Sequence, residues 1–453
     1  MTATDWATLD NAGLLTDLYE LTMMQAYYQE GLFEPAVFDL FFRKLPEERN
    51  YLLAAGLDTA LAYLENLHFP PEAIDYLDSL GTFSRDFLDY LAAFRFTGEV
   101  RAVPEGTPIF ANEPIIEVKA PLPQAQLAET FLLNQLHFQT LMASKAARVA
   151  DVAGGRSVVD FGARRMHGAD ATLKAARAFY IAGADATSNV LAGQAYGIPV
   201  SGTMAHSYIE AHDSELDAFA AFAGLYPETV LLVDTYDTLE GVRKVTELAE
   251  RWGDRFRVSG IRLDSGDLGE LAKGSRRILD EAGLQDVSIL ASGSLDEYAI
   301  RDLLADGAPF DGFGVGTHMG VSEDAPFLDS AYKLVAYANQ PRMKLATHKV
   351  TLPGEKQVYR VRDESGTYAR DTIATAEEPP LNGTPLLATV MRDGKRLSEA
   401  SPGLAAIRER ACAERNRLPQ ALLELEPAEP YPVAVSDHLQ ERTRELRQRL
   451  SPK

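Results

Sequence analysis

A histidine flanked by hydroxyl side chains follows a short apolar run near the middle of the chain. The run Ile198–Val200 predicts a buried strand, and Gly202 loosens the backbone behind it. Thr203 and His206 then bring a hydroxyl and an imidazole to the end of that strand, as on the floor of an active site. A single histidine at a strand end is more often structural than catalytic. The interpretation therefore depends on what the other strand ends bring.

Carboxylates stand at two other predicted strand ends. Asp264 and Asp267 flank Gly266 in one tight loop, which suits Mg²⁺ held through water and a substrate phosphate. The alternative role of Asp267 is to cap the helix that follows it. Asp234 is placed to orient an imidazole, as the carboxylate of a catalytic triad does. The sequence thus predicts catalytic roles for Asp234 and Asp264 beside His206.

Two glycine-containing loops close the series of predicted strands. Ser292 and Gly293 lead into a predicted helix, whose free amides can hold an oxyanion. Gly314 and Gly316 allow close approach of the backbone, and Thr317 adds a hydroxyl. The loops after the last two strands of an α/β barrel often bind phosphate. We therefore predict phosphate contacts from both loops, with two ordinary glycine turns as the alternative.

Positive charge at the strand ends comes from Arg164, Arg165 and Arg262, of which we expect one to be a structural ion-pair partner. The formal net charge of the chain is −22 at pH 7, which argues against a general nucleic-acid-binding protein. An anionic ligand would need arginines, backbone amides or a divalent cation to reverse that field locally.

These residues follow apolar runs that alternate with helical patterns from about residue 157 onward. The candidate strands are Val158–Phe161, Ala184–Ala186, Ile198–Val200, Val230–Val233, Val258–Leu263, Ile289–Ala291 and Gly312–Val315. Such alternation predicts a parallel sheet, and seven strands favour a closed or nearly closed α/β barrel over an open doubly wound sheet. In such barrels the active site lies at the carboxyl ends of the strands.

The fold class predicted for the whole chain is α/β, in four parts. Residues 1–150 form an N-terminal α/β domain ending in a long helix over 130–149, and residues 151–330 form an incomplete or irregular TIM-like barrel. Residues 331–400 are β-rich and expected to pack with the N-terminal domain, and residues 401–453 are a helical cover.

Composition excludes several classes of protein. The 453 residues are 46% hydrophobic and 24% charged, as in ordinary globular proteins, and no apolar run is long enough to predict a membrane span. The single cysteine, Cys412, excludes an internal disulfide framework and fits a reducing compartment. Because the N-terminus lacks the pattern of a signal peptide, we expect a cytoplasmic protein.

Five stretches, taken together, resemble the signature motifs of nicotinate phosphoribosyltransferases, and the resemblance runs from about residue 14 to 361. The stretches are Thr16–Met23, Phe161–Arg165, Gly202–Ser207, Arg262–Asp267 and Gly314–Thr317. The resemblance implies an N-terminal α/β domain, an incomplete α/β barrel and a C-terminal segment. It also implies the conversion of nicotinate and phosphoribosyl pyrophosphate to nicotinate mononucleotide and pyrophosphate, coupled to ATP hydrolysis.

The resemblance further implies roles for individual residues. His206 matches the histidine that ATP phosphorylates transiently. Tyr19 and Phe161 match an aromatic pair that sandwiches the pyridine ring, with the tyrosine donated by the second subunit of a homodimer. Ligand contacts of the family match Thr203, Arg262, Thr317 and Arg164, the last to a phosphate or to the ring. One departure is Ala346, where the family usually has serine; Thr347 is the candidate replacement.

Three alternatives stay open on the sequence alone. Nicotinamide phosphoribosyltransferase shares the barrel and the histidine, but Met204-Ala205-His206 lacks the acidic residue that usually precedes that histidine in the nicotinamide branch. The quinolinate enzyme needs a more basic pocket and no phosphorylated histidine. A non-catalytic metabolite-binding barrel is expected to have lost His206 or Arg262, and both are present.

Overall fold

The computed structural model describes residues 7–345 and 351–451. The chain divides into two compact units, Met1–Ser144 together with Phe327–Lys453, and Lys145–Pro326. The described helices are α1 Leu18–Glu30, α2 Leu57–Asn66, α3 Pro71–Ser79, α4 Arg85–Ala92, α5 Leu122–Leu127, α6 Glu129–Val152, α7 Ala169–Ala182, α8 Val190–Tyr196, α9 His206–Glu210, α10 Glu215–Leu225, α11 Thr238–Trp252, α12 Leu268–Glu281, α13 Glu297–Ala305, α14 Thr317–Gly320, α15 Leu404–Arg415, α16 Gln420–Leu423 and α17 Asp437–Leu450. None of them is long and apolar enough to cross a membrane.

The described strands fall into four sheets. They are β1 Pro35–Phe42, β2 Leu52–Leu53, β3 Glu99–Ala102, β4 Pro108–Ile109, β5 Pro114–Pro121, β6 Ser157–Asp160, β7 Ala186–Thr187, β8 Val230–Leu232, β9 Gly260–Leu263, β10 Ser288–Ala291, β11 Gly312–Val315, β12 Ser330–Tyr337, β13 Gln340–Pro341, β14 Lys356–Arg362, β15 Tyr368–Thr375, β16 Thr384–Pro385, β17 Ala388–Arg392, β18 Lys395–Arg396 and β19 Val433–Val435.

The first unit is built on a seven-stranded antiparallel sheet in the order β13-β12-β1-β5-β3-β17-β18. Strand β1 lies near its centre and pairs with both β5 and β12, so Ala36 has Ala120 as its partner on one side and Tyr337 on the other. Six of the eight residues of β1 are buried, which explains why its sequence is apolar apart from Asp39, whose carboxylate pairs with Lys356 at 2.8 Å. Two smaller sheets, β16-β14-β15-β19 and β2-β4, complete the strands of this unit.

The second unit is built on a parallel sheet of six strands in the order β7-β6-β11-β10-β9-β8, a parallel half-barrel with helices between its strands. The predicted strand Ile198–Val200 is the exception. It makes only a single bridge, between Thr187 and Val200, and the Val200 side chain is exposed. Pro199 has no amide hydrogen to donate to a ladder, which limits the pairing of this segment. The prediction that Ile198–Val200 forms a strand of the sheet is therefore wrong.

Side-chain caps define where several helices of the second unit begin. Five helices are preceded by an N-cap residue whose side chain accepts a hydrogen bond from a backbone amide of the first turn. These N-cap residues are Asn189, Ser214, Asp237, Asp267 and Asp296. Each cap satisfies an amide that the helix leaves unpaired. The loops after β8, β9 and β10 are thus each held between a strand end and a capped helix start, whereas α7, α9 and α14 begin without a side-chain cap.

Candidate functional site

One cavity of about 1440 Å³ in the second unit is lined by Arg165, Gly314 and ten further residues that the sequence singled out. They are Phe161, Arg164, Thr203, His206, Arg262, Asp264, Ser292, Gly293, Gly316 and Thr317. These residues come from the loops after β6, β9, β10 and β11, from β9 itself, and from the segment that leads into the first residue of α9. A smaller cavity of about 660 Å³ lies in the first unit, and none of the predicted site residues lines it.

His206 opens α9 and faces two carboxylates. Its Nε2 atom lies 3.8 Å from Asp264 Oδ2 and 4.0 Å from Asp234 Oδ1, and its Nδ1 atom lies 3.2 Å from the Thr235 hydroxyl. The carboxylate distances exceed those of a hydrogen bond, so the interaction is electrostatic and orienting. Sequence reasoning did not single out Thr235, although its position beside Asp234 at a strand end was a usable signal.

Asp234 is buried below the cavity and does not line it. Its Oδ2 atom accepts hydrogen bonds from the Ser265 hydroxyl at 2.6 Å and from the Asp264 amide at 3.1 Å. Its Oδ1 atom is buried and has no hydrogen-bond donor in the described part of the chain. Asp234 thus holds the loop that carries Asp264 and directs its second oxygen towards His206. Ser265, which the sequence analysis did not use, is part of this support.

The two carboxylates predicted to hold Mg²⁺ occupy different positions. Asp264 lines the cavity and accepts a hydrogen bond from Ser292 through Oδ1. Asp267 caps α12 by accepting the Glu270 amide at 3.2 Å and does not line the cavity. The described residues contain no group of three potential metal ligands. A single carboxylate facing the cavity fits Mg²⁺ that is coordinated mainly by substrate phosphates and water. Because Asp267 caps a helix, Asp264 is the better candidate of the two for a Mg²⁺ ligand.

The predicted oxyanion site at the start of α13 needs correction. The helix begins at Glu297, and the Asp296 side chain accepts the Ala299 amide at 2.7 Å. A carboxylate therefore already occupies the position that an anion was expected to take. The backbone that faces the cavity is instead the loop before it, where Gly293 and Ser294 have φ of +87° and +49°. Any amide contact to an anion must come from this loop rather than from the helix terminus.

Gly314 lines the cavity and also makes a close contact that the sequence analysis did not predict. A Cβ atom at this position would lie 2.4 Å from the Phe161 ring, so the missing side chain makes room for the aromatic ring. The Arg262 guanidinium lies 5.7 Å from the centre of the same ring. Gly314 thus allows the Phe161 ring to approach β11 closely, and Arg262 packs near the ring.

Arg262 brings an incompletely paired guanidinium to the cavity. Its Nη2 donates a hydrogen bond to the Met204 carbonyl at 3.1 Å, whereas its buried Nε finds no acceptor in the part of the chain that the structure describes. Burial lowers the pKa of Arg262, and Asp264 and Asp234 oppose that shift. Arginine stays charged at neutral pH even so. A half-buried cation with a spare donor is suited to bind an anionic ligand.

Asp160 is a supporting residue that sequence reasoning missed. It is buried at the end of β6, where burial raises the pKa of its carboxyl group. Its two oxygens accept the Gly162 amide at 2.8 Å and the Thr187 hydroxyl at 2.7 Å. It therefore ties the loop that carries Phe161 to the neighbouring strand. A carboxylate directly before Phe161 in an apolar run was the available signal.

The remaining predicted residues are less constrained. Arg164 and Arg165 lie in a short 3₁₀ turn on the cavity wall, and the Thr203 hydroxyl contacts the Met204 carbonyl at 3.3 Å. Tyr19 belongs to the first unit, where it is the second residue of α1 and 45% exposed. The loop position of Ala346 and Thr347 lies outside the described residues.

Known protein families match most of the chain. The model described as the nicotinate phosphoribosyltransferase (NAPRTase) family matches residues 156–322. Models of the N-terminal and C-terminal domains of nicotinate phosphoribosyltransferase match residues 14–137 and 382–443. The first of these three matches contains all the cavity residues named above.

Individual proteins that are similar to this chain belong to the same family as the matching models. Nicotinate phosphoribosyltransferase pncB2 of Mycobacterium tuberculosis is 54% identical over 427 residues, covering 94% of this chain and 92% of that protein. Nicotinate phosphoribosyltransferase of Bacillus subtilis is 46% identical, covering 82% and 77%. The crystal structure of human nicotinic acid phosphoribosyltransferase superposes with a TM-score of 0.84 at 30% identity, covering 95% of this chain and 99% of that one.

Proposed function

The chain belongs to the nicotinate phosphoribosyltransferase family, and from that premise we propose that it makes nicotinate mononucleotide. The substrates are nicotinate, phosphoribosyl pyrophosphate, ATP and water, and the other products are pyrophosphate, ADP and phosphate. This is the first step of NAD salvage from nicotinate. The observation that carries the proposal is the convergence of His206, Arg262 and two glycine-containing loops on one cavity.

The chemical step exchanges one bond at the ribose. The ring nitrogen of nicotinate forms a bond to C1 of the ribose as the bond from C1 to the pyrophosphate oxygen breaks. Positive charge develops on the sugar and negative charge on the leaving group, so rate enhancement depends on fixed cations and amides more than on a strong base. Arg262, Arg164 and the loops at Ser292, Gly293, Gly316 and Thr317 supply those groups, and Thr203 adds a hydroxyl.

The pyridine ring is held between aromatic side chains in this proposal. Phe161 provides one face, and Tyr19 of a second copy provides the other, which makes the enzyme a homodimer with shared sites. Two exposed apolar groups support an interface. Leu15, Leu18 and Tyr19 are exposed around α1, and Val190, Leu225 and Tyr226 are exposed at the mouth of the cavity. Large apolar side chains grouped in this way mark interaction surfaces.

His206 couples ATP hydrolysis to synthesis. Its Nε2 is turned towards Asp234 and Asp264, which lie at 4.0 and 3.8 Å, and the Thr235 hydroxyl supports the opposite nitrogen at 3.2 Å. A ring held on both sides can accept a phosphoryl group in a defined direction. The carboxylates stabilise the positive charge that the imidazole acquires as it reacts.

Mg²⁺ and the incomplete TIM-like barrel are finer parts of the proposal. Asp264 would hold Mg²⁺ together with substrate phosphates, and the bound ion would neutralise the charge of the leaving pyrophosphate. The six-stranded half-barrel corresponds to an incomplete TIM-like barrel whose site lies at the carboxyl ends of the strands. A cytoplasmic location follows from the single cysteine and from the metabolites that the reaction uses.

Product analysis tests this function and separates it from the alternatives. Purified enzyme with all substrates is expected to yield nicotinate mononucleotide by mass spectrometry, and nicotinamide offered in parallel is expected to yield little product. Preferential formation of the nicotinamide nucleotide would assign the chain to the nicotinamide branch. ATP hydrolysis stimulated by nicotinate would exclude a non-catalytic metabolite-binding barrel.

A further inference from the structure

Two basic side chains are buried in the most apolar part of α6. Lys145 is 1% exposed and Arg148 is 6% exposed, although Leu141, Met142 and Val149 around them are core residues. Lysine and arginine are rarely buried in this way unless they are paired. Neither residue lines the candidate active site, so the position of these charges needs another explanation.

Both cations contact the same carboxylate. The Lys145 ammonium lies 2.5 Å from Glu297 Oε2, and the Arg148 Nε donates to Glu297 Oε1 at 2.9 Å. Arg148 also donates to the Tyr298 hydroxyl at 2.9 Å. The Lys145 ammonium has a second partner, Asp324 Oδ1 at 2.8 Å. Two cations and two anions therefore form one balanced, largely buried group, which we call the Lys145 network (Lys145, Arg148, Glu297 and Asp324).

The two anions lie just beyond the two loops assigned to phosphate binding. Glu297 is the first residue of α13, three residues after Ser294. Asp324 lies in the turn that follows α14, seven residues after Thr317. Lys145 thus connects the segments that continue from the loops after β10 and β11.

A network of this kind contributes little net stability. Removing four charged groups from water opposes the attraction between them, and apolar residues of similar volume often stabilise a core at least as well. Fixed geometry is the better-supported use of buried ionic groups. We propose that Lys145 is a positioning residue that sets the spacing between the two phosphate-binding loops through Glu297 and Asp324. This inference rests on the proposed function, because it assigns the loops to phosphoribosyl pyrophosphate.

The expected consequence is selective for one substrate. A displacement of about 1 Å at a group that binds the reacting phosphates lowers the rate by about 100-fold. The ring contact of Phe161 is supported by Asp160 and Gly314, which do not belong to the Lys145 network. Loss of the network is therefore expected to weaken phosphoribosyl pyrophosphate binding and to leave nicotinate binding nearly unchanged.

The test compares three variants with a matched control. Lys145→Met removes the central cation, and the double variant Lys145→Met with Glu297→Gln removes a cation and an anion together. Asp324→Asn cuts only the link to the second loop, and its partly exposed side chain makes a folding defect less severe. The control is Lys244→Met, since Lys244 pairs at 2.9 Å with Glu215, another buried glutamate at the first position of a helix.

Two measurements are made on each folded variant, namely calorimetric binding of phosphoribosyl pyrophosphate and steady-state KM for both substrates. The Lys145 variants are expected to weaken binding and raise the KM for phosphoribosyl pyrophosphate about tenfold or more. Asp324→Asn is expected to act in the same direction, by about threefold, and the KM for nicotinate should change by less than about twofold. Lys244→Met should lower thermal stability without this selectivity.

Several outcomes would overturn the inference. Unchanged phosphoribosyl pyrophosphate binding in folded Lys145→Met would do so, as would equal losses for both substrates or losses matched by Lys244→Met. If neither Lys145 variant folds, Asp324→Asn decides the question by the same criteria. If wild-type protein binds phosphoribosyl pyrophosphate but forms no nicotinate mononucleotide, the proposed function fails. The role of Lys145 is then still decided by comparing phosphoribosyl pyrophosphate binding between wild type and the variants by calorimetry.

Discussion

A Cβ atom on Gly293 would lie 1.9 Å from the carbonyl oxygen of Asp264. The loop after β10 therefore rests directly on the loop after β9, and the backbone at Gly293 has a φ of +87°. We expect Gly293→Ala to force the two loops apart, because both the contact and the backbone conformation exclude a side chain. Catalytic efficiency with phosphoribosyl pyrophosphate should fall about tenfold or more, as measured by steady-state kinetics.

Gly283 provides the matched control for that substitution. It also has a positive φ, of +74°, but no atom lies within 4 Å of the Cβ position. Gly283→Ala therefore introduces backbone strain without a steric conflict. Equal kinetic losses in the two variants would show that general strain, rather than the contact with Asp264, is responsible.

Arg262→Lys tests whether the cavity needs a planar guanidinium. Arg262 already donates one hydrogen bond to the Met204 carbonyl and packs near Phe161, and lysine cannot keep both contacts while binding an anion bidentately. We expect a loss of about tenfold or more in kcat/KM, equivalent to about 1.4 kcal/mol of transition-state stabilisation. The Tm of Arg262→Lys should stay close to the Tm of Arg243→Lys, a control substitution at an exposed arginine on α11. A lysine variant with wild-type kinetics would reassign Arg262 to a structural role.

His206 is expected to carry phosphate after incubation with ATP. The modification should be labile in acid and stable in base, as a phosphoramidate is, and intact-mass measurement should find it absent from His206→Ala. His212 is a suitable control, because its Nδ1 contacts the Tyr208 carbonyl and it does not line the cavity. His212→Ala should retain the label. Label that persists in His206→Ala would contradict the assignment.

Tyr19→Ala and His206→Ala together test the shared site. Each homodimer should be impaired, and co-expression should make about half of the dimers hybrid. If Tyr19 acts in the partner's site, each hybrid has one intact site, and activity recovers to about a quarter of wild type. If Tyr19 acts within its own chain, every hybrid site carries one defect. Mixed dimers as inactive as their parents would then contradict the shared site.

Glu20 makes the stability of the first unit depend on pH. Its side chain is fully buried next to Tyr19, and burial raises its pKa to about 7, although hydrogen bonds from Thr130 and Thr16 oppose the shift. The folded state thus holds this proton more tightly than the unfolded state, whose glutamate titrates near 4.5. The resulting stabilisation is complete below about pH 4.5 and is lost as the pH rises through about 7.

Glu20→Gln imitates the protonated carboxyl group and should remove this dependence. The difference in free energy of unfolding, variant minus wild type, should be about 2–3 kcal/mol larger at pH 8 than at pH 5. Denaturant titrations at the two pH values measure the difference. Glu72→Gln, on the exposed side of α3, should show no such trend. If this stability difference is the same at pH 5 and pH 8, Glu20 is already ionised in the folded wild-type protein at both pH values, and the prediction is wrong.

The sequence by itself determined the family, the α/β class and most of the residues that meet in the cavity. This was possible because carboxyl ends of parallel strands converge, so a polar residue after each apolar run could be assigned to one site. Helix caps and positive-φ glycines are also local signals, and the capping alternative for Asp267 was readable from its position alone.

Only the tertiary structure decided which groups support one another. Val200 has the pattern of a strand but makes a single bridge, and the absence of a side chain at Gly314 makes room for Phe161. The pairing of Asp234 with Ser265, and of Lys145 with Glu297, joins residues 31 and 152 positions apart. Periodicity and capping describe neighbours along the chain, whereas the partner of a buried charge is set by packing between distant segments. Such partners therefore have no local signal in the sequence.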